Sequence, residues 1–169
     1  MGKLVNIYSR TYVRQEDGSL QEVSLNEEPA QNSLSVLVAL SMSEYKLLVS
    51  GKGDLIFRKS WPTKIKQFPA NIYFTIKKHG PRIFAKGQLH FIMHTIGIEQ
   101  ECERAGITEE KFEKLFYNEE NNQAAALAWN IRCVKEVDMH YNQFYYIPEK
   151  GLPRELQQLE RGFAYIIKA

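Results

Sequence analysis

Cysteine is scarce in this chain. Cys102 and Cys133 are its only two, they stand far apart, and neither belongs to a CxxC pair. That usage argues against a disulfide framework or a zinc site, and reduced thiols in a cytoplasmic protein are the expectation. Long apolar runs are missing too. None approaches the roughly 20 residues that cross a bilayer, so no membrane partner is expected. The opening MGKLVNIYSRTY lacks the apolar centre of a secretory signal. Asn6 and Ile7 stand where a myristoylation signal wants a small hydroxyl residue. GxSxG, GxGxxG, a P-loop and a Ser-His-Asp order are all absent. Ser50-Gly51-Lys52-Gly53 is glycine-rich but too short to cradle a phosphate by itself.

What is present is the composition of a folded domain, with its charge sorted by region. The 169 residues, 44% hydrophobic and 12% aromatic, suit one domain with its own core. A net charge of +2 conceals a strong asymmetry. From Lys52 to His90, nine lysines and arginines stand against one acid, Asp54, a local excess of +8. From Glu99 to Glu120, eight acids stand against three bases, a local −5. Such sorting suggests one face made for an anion and another facing solvent.

Residues 1–32 read as an N-terminal β-hairpin extension with its loop. Leu4 to Tyr8 and Tyr12-Val13 are β-rich, Glu16-Asp17-Gly18 is a turn signal, and Asn26 to Asn32, with Pro29, is a polar linker. Residues 33–169 form the domain proper. Ser33 to Leu40 suits a buried strand, and Ser41 or Ser43 caps a helix that runs to Val49 and stops at Gly51. Strands are predicted at Asp54–Arg58, at Asn71–Lys77, and at Ile83–Ile96 with a bend at Gly87. In the second of these, Ile72, Phe74 and Ile76 fall on one face and Tyr73, Thr75 and Lys77 on the other. Helices are predicted at Glu99–Ala105 and Thr108–Phe116, a strand from about Leu127, an extended Tyr141–Ile147, a helix from Pro153 through Glu160, and a closing strand at Phe163–Ile167. Short strands interrupted by a few helices give an α+β fold, a small, strongly curved mixed β-barrel with peripheral helices.

Four pieces in this order resemble the ASCH domain, a member of the PUA-like superfamily. They are LSMSEYKLLVSGKGDLIFRK, NIYFTIKKHGPRIFAKGQLHF, AGITEEKFEKLF followed by AALAWNI, and ERGFAYI. Together they span about Ser33 to Ile167. The resemblance implies a PUA-like barrel with a cleft near the Gly51 turn, where relatives bind RNA, modified bases or related small ligands. Some ASCH proteins are amidohydrolases on acylated nucleosides and some are described as ribonucleases. Aligned on Arg58, however, the family's lysine position falls on Gly53 and its polar position on Ile56, and after Gly87 the chain offers Gln88 and His90 where the amidohydrolases use a carboxylate. A general base must be ionisable and within reach of its proton, and Gln88 is not ionisable. The usual hydrolytic centre is therefore not expected.

The expectation is a nucleic-acid-binding protein, RNA before DNA, needing no cofactor or metal. Its basic stretch reads either as a solvated rim that keeps sheet edges apart or as a groove that tracks phosphates between aromatic platforms, and we favour the groove. The residues assigned to it are Ser41, Lys52, Arg58, Lys59, Trp61, Tyr73, Thr75, Lys77, Lys78 and Lys86. Arg58 has two readings of equal standing, a bidentate phosphate anchor or a structural partner of Asp54 on the same strand face. The histidines His79, His90, His94 and His140 read as structural rather than metal-binding. Of the aromatic run Tyr141, Phe144, Tyr145 and Tyr146, which could stack bases, most are assigned to the core, as is Trp129. Two alternatives stand beside the binding reading. One is a nucleoside amidohydrolase or ribonuclease with a rearranged site of Lys52, Arg58 and His90. The other is an adaptor that meets a protein partner through the N-terminal hairpin or the acidic helices.

Overall fold

The computed structural model describes residues 4–7, 10–14, 20–23, 34–95, 98–120, 122–159 and 162–169. The first three stretches are β1 (Leu4–Ile7), β2 (Arg10–Arg14) and β3 (Leu20–Val23), an antiparallel sheet of their own in that order. The predicted turn at Glu16-Asp17-Gly18 and the predicted linker at residues 26–32 lie outside the described residues.

The apolar run after Leu34 forms β4 (Ser35–Leu40), buried along its whole length. Ser41 then ends the strand and opens a helix. Its hydroxyl accepts from the Glu44 backbone N–H at 3.2 Å, and the Glu44 carboxylate accepts from the Ser41 backbone N–H at 3.0 Å. This reciprocal capping box fixes the start of α1 (Met42–Val49). Gly51, at φ +75°, reverses the chain in a conformation that strains a residue with a Cβ, and β5 (Leu55–Arg58) leaves the turn. β6 (Ala70–Ile76) and β7 (Arg82–His94) follow as an antiparallel pair. The acidic stretch supplies α2 (Ile98–Ala105) and α3 (Glu109–Phe116), the latter capped by Thr108. A short ladder of β8 (Tyr117–Asn118) and β9 (Gln123–Ala124) leads into β10 (Leu127–His140). Last come β11 (Phe144–Tyr146), β12 (Arg154–Glu155) and β13 (Phe163–Lys168).

One sheet collects eight strands in the order β12-β11-β13-β4-β6-β7-β10-β5, with β4 and β6 parallel and every other neighbour antiparallel. The strands predicted at 54–58, 71–77 and 83–96 share a sheet as β5, β6 and β7, with Ile96, the predicted end of the last, outside the described residues, and the class is mixed α+β. The closed barrel is a different matter: the ladder has two ends, β12 and β5, and no pairing joins them among the described residues. Bulges bend it. His90 is the extra residue where Asn130 faces Phe91 and Ile131 faces Leu89, and β10 carries an extra residue between Arg132 and Lys135 and another between Glu136 and Met139. Cys133, in the first of the β10 bulges, has φ +55°. No helix among the described residues is long and apolar enough to cross a membrane.

Both faces of the sheet are covered. Val38, Leu40, Ile56, Ile72, Phe74 and Trp129 build the largest core, beside α1. Leu37, Tyr73, Tyr141, Phe144, Leu156 and Ile166 build a second. The alternation predicted for β6 thus has no wet face until Lys77, because Tyr73 packs edge-on against Phe144 at 4.9 Å and Thr75 is 1% exposed. A third core seats α2 and α3 on Leu55, Phe57 and Ala128. The helix predicted from Pro153 is absent. Arg154 and Glu155 pair with Tyr146 and Tyr145 instead, and Leu156 and Leu159 anchor an extended segment on the second core. Glu160 lies outside the described residues.

The end of α2 rests directly on the Gly51 turn. The Asp54 backbone N–H donates to the Arg104 carbonyl at 3.2 Å, and Arg104 grips the Asp54 carboxylate with Nε at 2.9 Å and Nη2 at 2.7 Å. A Cβ on Gly53 would lie 2.4 Å from that Arg104 carbonyl oxygen and 2.5 Å from Leu47 Cδ2. The oxygen belongs to backbone held by the same contact, so it has little room to retreat. Gly53→Ala is accordingly expected to cost about 1–3 kcal/mol of stability, the usual range for overpacking, read as a lower urea midpoint. An unchanged midpoint would show that α2 is free to shift.

Candidate functional site

The carboxyl ends of the parallel pair β4 and β6 lie beside the start of α1, the end of β5 and the α2–α3 connection, and they enclose a cleft of about 730 Å³. Ligands commonly sit at carboxyl strand ends in α/β sheets, and the volume falls within the roughly 300–1,000 Å³ of small-molecule sites. One wall is polar and charged: Ser41 and Glu44 from α1 and its cap, Arg58 and Lys59 from the end of β5, Lys77 from the end of β6. The opposite wall is mostly apolar and comes from Ile107 and from Leu115 and Phe116 on α3, with Lys111 one turn before Leu115; Phe163 of β13 adds to it. Four cations and one carboxylate give the cleft a net charge of +3.

Arg58 holds the charged corner together. Its Nη1 donates to Glu44 Oε2 at 2.9 Å and to the Phe57 carbonyl at 2.7 Å, and its Nη2 donates to the Ala39 carbonyl at 3.1 Å and to Glu44 Oε1 at 3.3 Å. Neither earlier reading of this residue survives intact. Asp54 is not its partner, because Asp54 precedes β5 and turns to Arg104. Its fork is also occupied by a carboxylate of the protein itself, so it does not stand open for phosphate. Burial pushes the Glu44 carboxyl upward, but the Arg58 charge and hydrogen bonds, the Ser41 N–H and Lys77 together hold it below its ordinary value. Glu44 is thereby kept ionised inside the cleft.

Of the residues assigned from the sequence, the cleft brings together Ser41, Arg58, Lys59 and Lys77. Lys52 is exposed on the Gly51 turn and Lys78 on the turn after β6, both apart from the lining. Lys86 lies mid-strand on β7, opposite Lys135. Trp61 packs half-buried on the main core with its Nε1 buried, and it is not part of the cleft lining. Tyr73 and Thr75 are buried as described and do not reach the cleft. Sequence reasoning missed Lys111, Leu115 and Phe116 because the segment's −5 charge hid the single lysine facing inward. The i, i+4 spacing of Lys111 and Leu115 was the available signal.

The trio Lys52, Arg58 and His90 does not assemble either, since only Arg58 lines the cleft. His90 is 2% exposed in its bulge. Its Nε2 donates to Gln88 Oε1 at 2.9 Å, and Nδ1 has no partner among the described residues. Loss of water on burial, and next the charge of Arg132, lower its pKa to about 4. The position where the resemblance expects a lysine is equally informative: at Gly53 the space for any side chain is filled by Leu47 and the Arg104 carbonyl.

Two outcomes are expected from this geometry. Arg58→Lys keeps the charge but cannot hold the fork, leaving Glu44 and two carbonyls short of donors. Its cost should be roughly 3 kcal/mol, seen by chemical denaturation; a loss below 1 kcal/mol would show that the corner is not structural. For His90, the unfolded chain binds a proton near the ordinary 6.5 and the folded chain only near 4. Stability should therefore be full above the higher value and fall by about 3 kcal/mol as pH drops towards the lower one. His90→Gln should flatten that part of the pH profile, and a wild-type-shaped profile in the variant would exclude His90 as its source.

No protein-family model matches the sequence, and no curated protein matches it. Solved structures do. A crystal structure of ASCH from Zymomonas mobilis superimposes with a TM-score of 0.52 at 18% identity, covering 64% of this chain and 75% of that one. A tyrosine-to-phenylalanine mutant of the Zymomonas mobilis protein gives a TM-score of 0.50 at 18% identity, covering 64% of this chain and 77% of that one. An identity this low speaks for the fold alone, and the fold of this chain is ASCH-like.

Proposed function

We propose that this chain binds nucleic acid, RNA before DNA, in the cleft between α1 and α3. The observation that carries the reading is the convergence of Lys59, Lys77 and Lys111, from three separate elements, opposite an apolar wall of Ile107, Leu115 and Phe116. Cations beside an apolar or aromatic platform are what single-stranded binders use for phosphate and base. Arg58 and Glu44 serve here as the frame that positions the lysines' wall, and Lys78, next to Lys77 in an exposed turn, extends the charge outward. Lys52 and Lys86 contribute at most to the long-range field. The free thiols of Cys102 and Cys133 accord with a cytoplasmic setting.

On this reading residues 33–169 are the binding domain, its bent sheet an opened version of the PUA-like barrel. Residues 1–32, whose described strands pair only with one another, are an extension available to a protein partner. Hydrolysis by the family's amidohydrolase route is not part of the proposal, because Gly53 and Gln88 leave it without its amine and its base.

Affinity for short RNA should fall steeply with salt. Each neutralised phosphate on a single strand contributes about −0.7 to the slope of log affinity against log salt, so three lysines predict roughly −2. Lys77→Gln and Lys111→Gln should each flatten the slope by about 0.7 for every sequence tested. Absence of saturable binding at low salt would overturn the proposal and leave the adaptor reading in its place.

A further inference from the structure

Outside the cleft, three rings meet at the surface beside α1. Phe84, near the start of β7, lies 6.5 Å from Tyr45 of α1 and 6.4 Å from His79, whose rings cross its plane at 75° and 86°. Tyr45 and Phe84 are half-buried, His79 is exposed, and none of the three lines the cleft. Their positions are held by hydrogen bonds. The Tyr45 hydroxyl donates to Glu136 Oε1 at 3.2 Å. The His79 backbone N–H donates to the Ile76 carbonyl at 3.1 Å and the Lys77 N–H to the Leu40 carbonyl at 3.0 Å, which ties the turn after β6 to the end of β4. Rings held in place cost little entropy to use. Met42, 37% exposed, stands three residues before Tyr45 and four before Lys46, so it occupies the helix surface between them.

The charge around this ledge favours an anion. Lys46, Lys77 and Lys78 flank it and are exposed. The acids beside it are engaged, Glu136 by the Tyr45 hydroxyl and Asp138 by Arg82. Lys77 also lines the cleft, and so do Ser41 and Ser43 on either side of Met42. Ledge and cleft therefore share a border along the start of α1 and the end of β6. Single-stranded binders pair a run of cations with successive aromatic platforms, and here the cations continue past the cleft to where the rings begin. Resting on the nucleic-acid reading above, we infer that a strand leaving the cleft past Lys77 crosses onto this ledge, where Tyr45, His79 and Phe84 receive its bases and Lys46 and Lys78 its phosphates. The footprint then has two parts. The cleft keeps its three phosphate contacts, and the ledge adds two that only a longer oligomer reaches.

Oligomer length separates the two parts. Fluorescent RNAs about four and about twelve nucleotides long, within the usual footprints of single-stranded binders, are titrated with the full chain over a range of salt. The shorter should show the slope of roughly −2 set by the cleft's three lysines, and the longer roughly −3.5, for five contacts at about 0.7 each. The double variant Lys46→Gln/Lys78→Gln should return the longer oligomer to the shorter one's slope. His79→Ala, a change at an exposed turn, should weaken the longer oligomer by roughly tenfold, the usual worth of one stacked base, and leave the shorter unchanged. His79→Phe, which keeps a ring, should restore the loss. Equal slopes for the two oligomers, or a steeper slope that the double variant does not reduce, would overturn the ledge while binding in the cleft stands. If neither oligomer binds, the function itself fails and the inference with it.

Discussion

The ion pair between Arg58 and Glu44 is the contact on which the cleft depends. It joins the first turn of α1 to the end of β5, and through the Ala39 carbonyl it also holds the end of β4. Glu44 has a double duty, since the same carboxylate closes the capping box with Ser41. Its side chain and that of Arg58 are only about one-fifth exposed, so removing one partner leaves the other short of water and of charge. Such pairs contribute less through net attraction than through the cost of every arrangement that breaks them. Here that cost selects one relative placement of strand end and helix start.

A second constraint sets the opposite wall. Leu47 of α1 lies against both Gly53 and Gly106, and a Cβ on Gly106 would come within 2.8 Å of its Cδ2. Arg104 clasps Asp54 across the same junction, while Asn130, fully buried, donates to Asp54 Oδ2 at 3.2 Å and accepts from Arg132 Nε at 2.9 Å. Burial pushes the Asp54 carboxyl up, and the Arg104 pair and Asn130 outweigh it, so the group stays ionised. The α2–α3 arm is thus fastened to β5 and β10 by packing and by charge. Its position gives the cleft an apolar side, and the same packing leaves no room for a side chain at residue 53.

Much of the frame was legible in the sequence because the signals are local. The unbroken apolar run of β4, the serine followed three residues on by Glu44, Gly51, and the threonine before α3 each act over a few residues. Partners across the sheet were not legible. Asp54 and Arg58 look like same-face neighbours, but Asp54 lies before the strand begins, so alternation does not govern it, and its partner is fifty residues away. Tyr73 and Thr75 looked available because period 2 marks faces without saying what covers them, and Phe144 with its neighbours covers theirs. Within the helix predicted from Pro153 through Glu160, Leu156 and Leu159 pack on the second core from an extended chain instead.

The charge sorting seen in the composition takes on a spatial meaning once α3 is placed. Lys111 lines the cleft, while Glu109, Glu110 and Glu113 of the same helix are exposed and absent from the lining. From outside, that helix presents Glu109, Glu110 and Glu113 with one base, Lys114, among them, whereas the cleft gathers Lys59, Lys77 and Lys111. Exposed charges act over about 8–10 Å at physiological salt, comparable to the width of a helix with its side chains, so the two fields stay distinct. On the proposed reading, the acidic helices limit where a ligand approaches and the basic strand ends hold the part that enters.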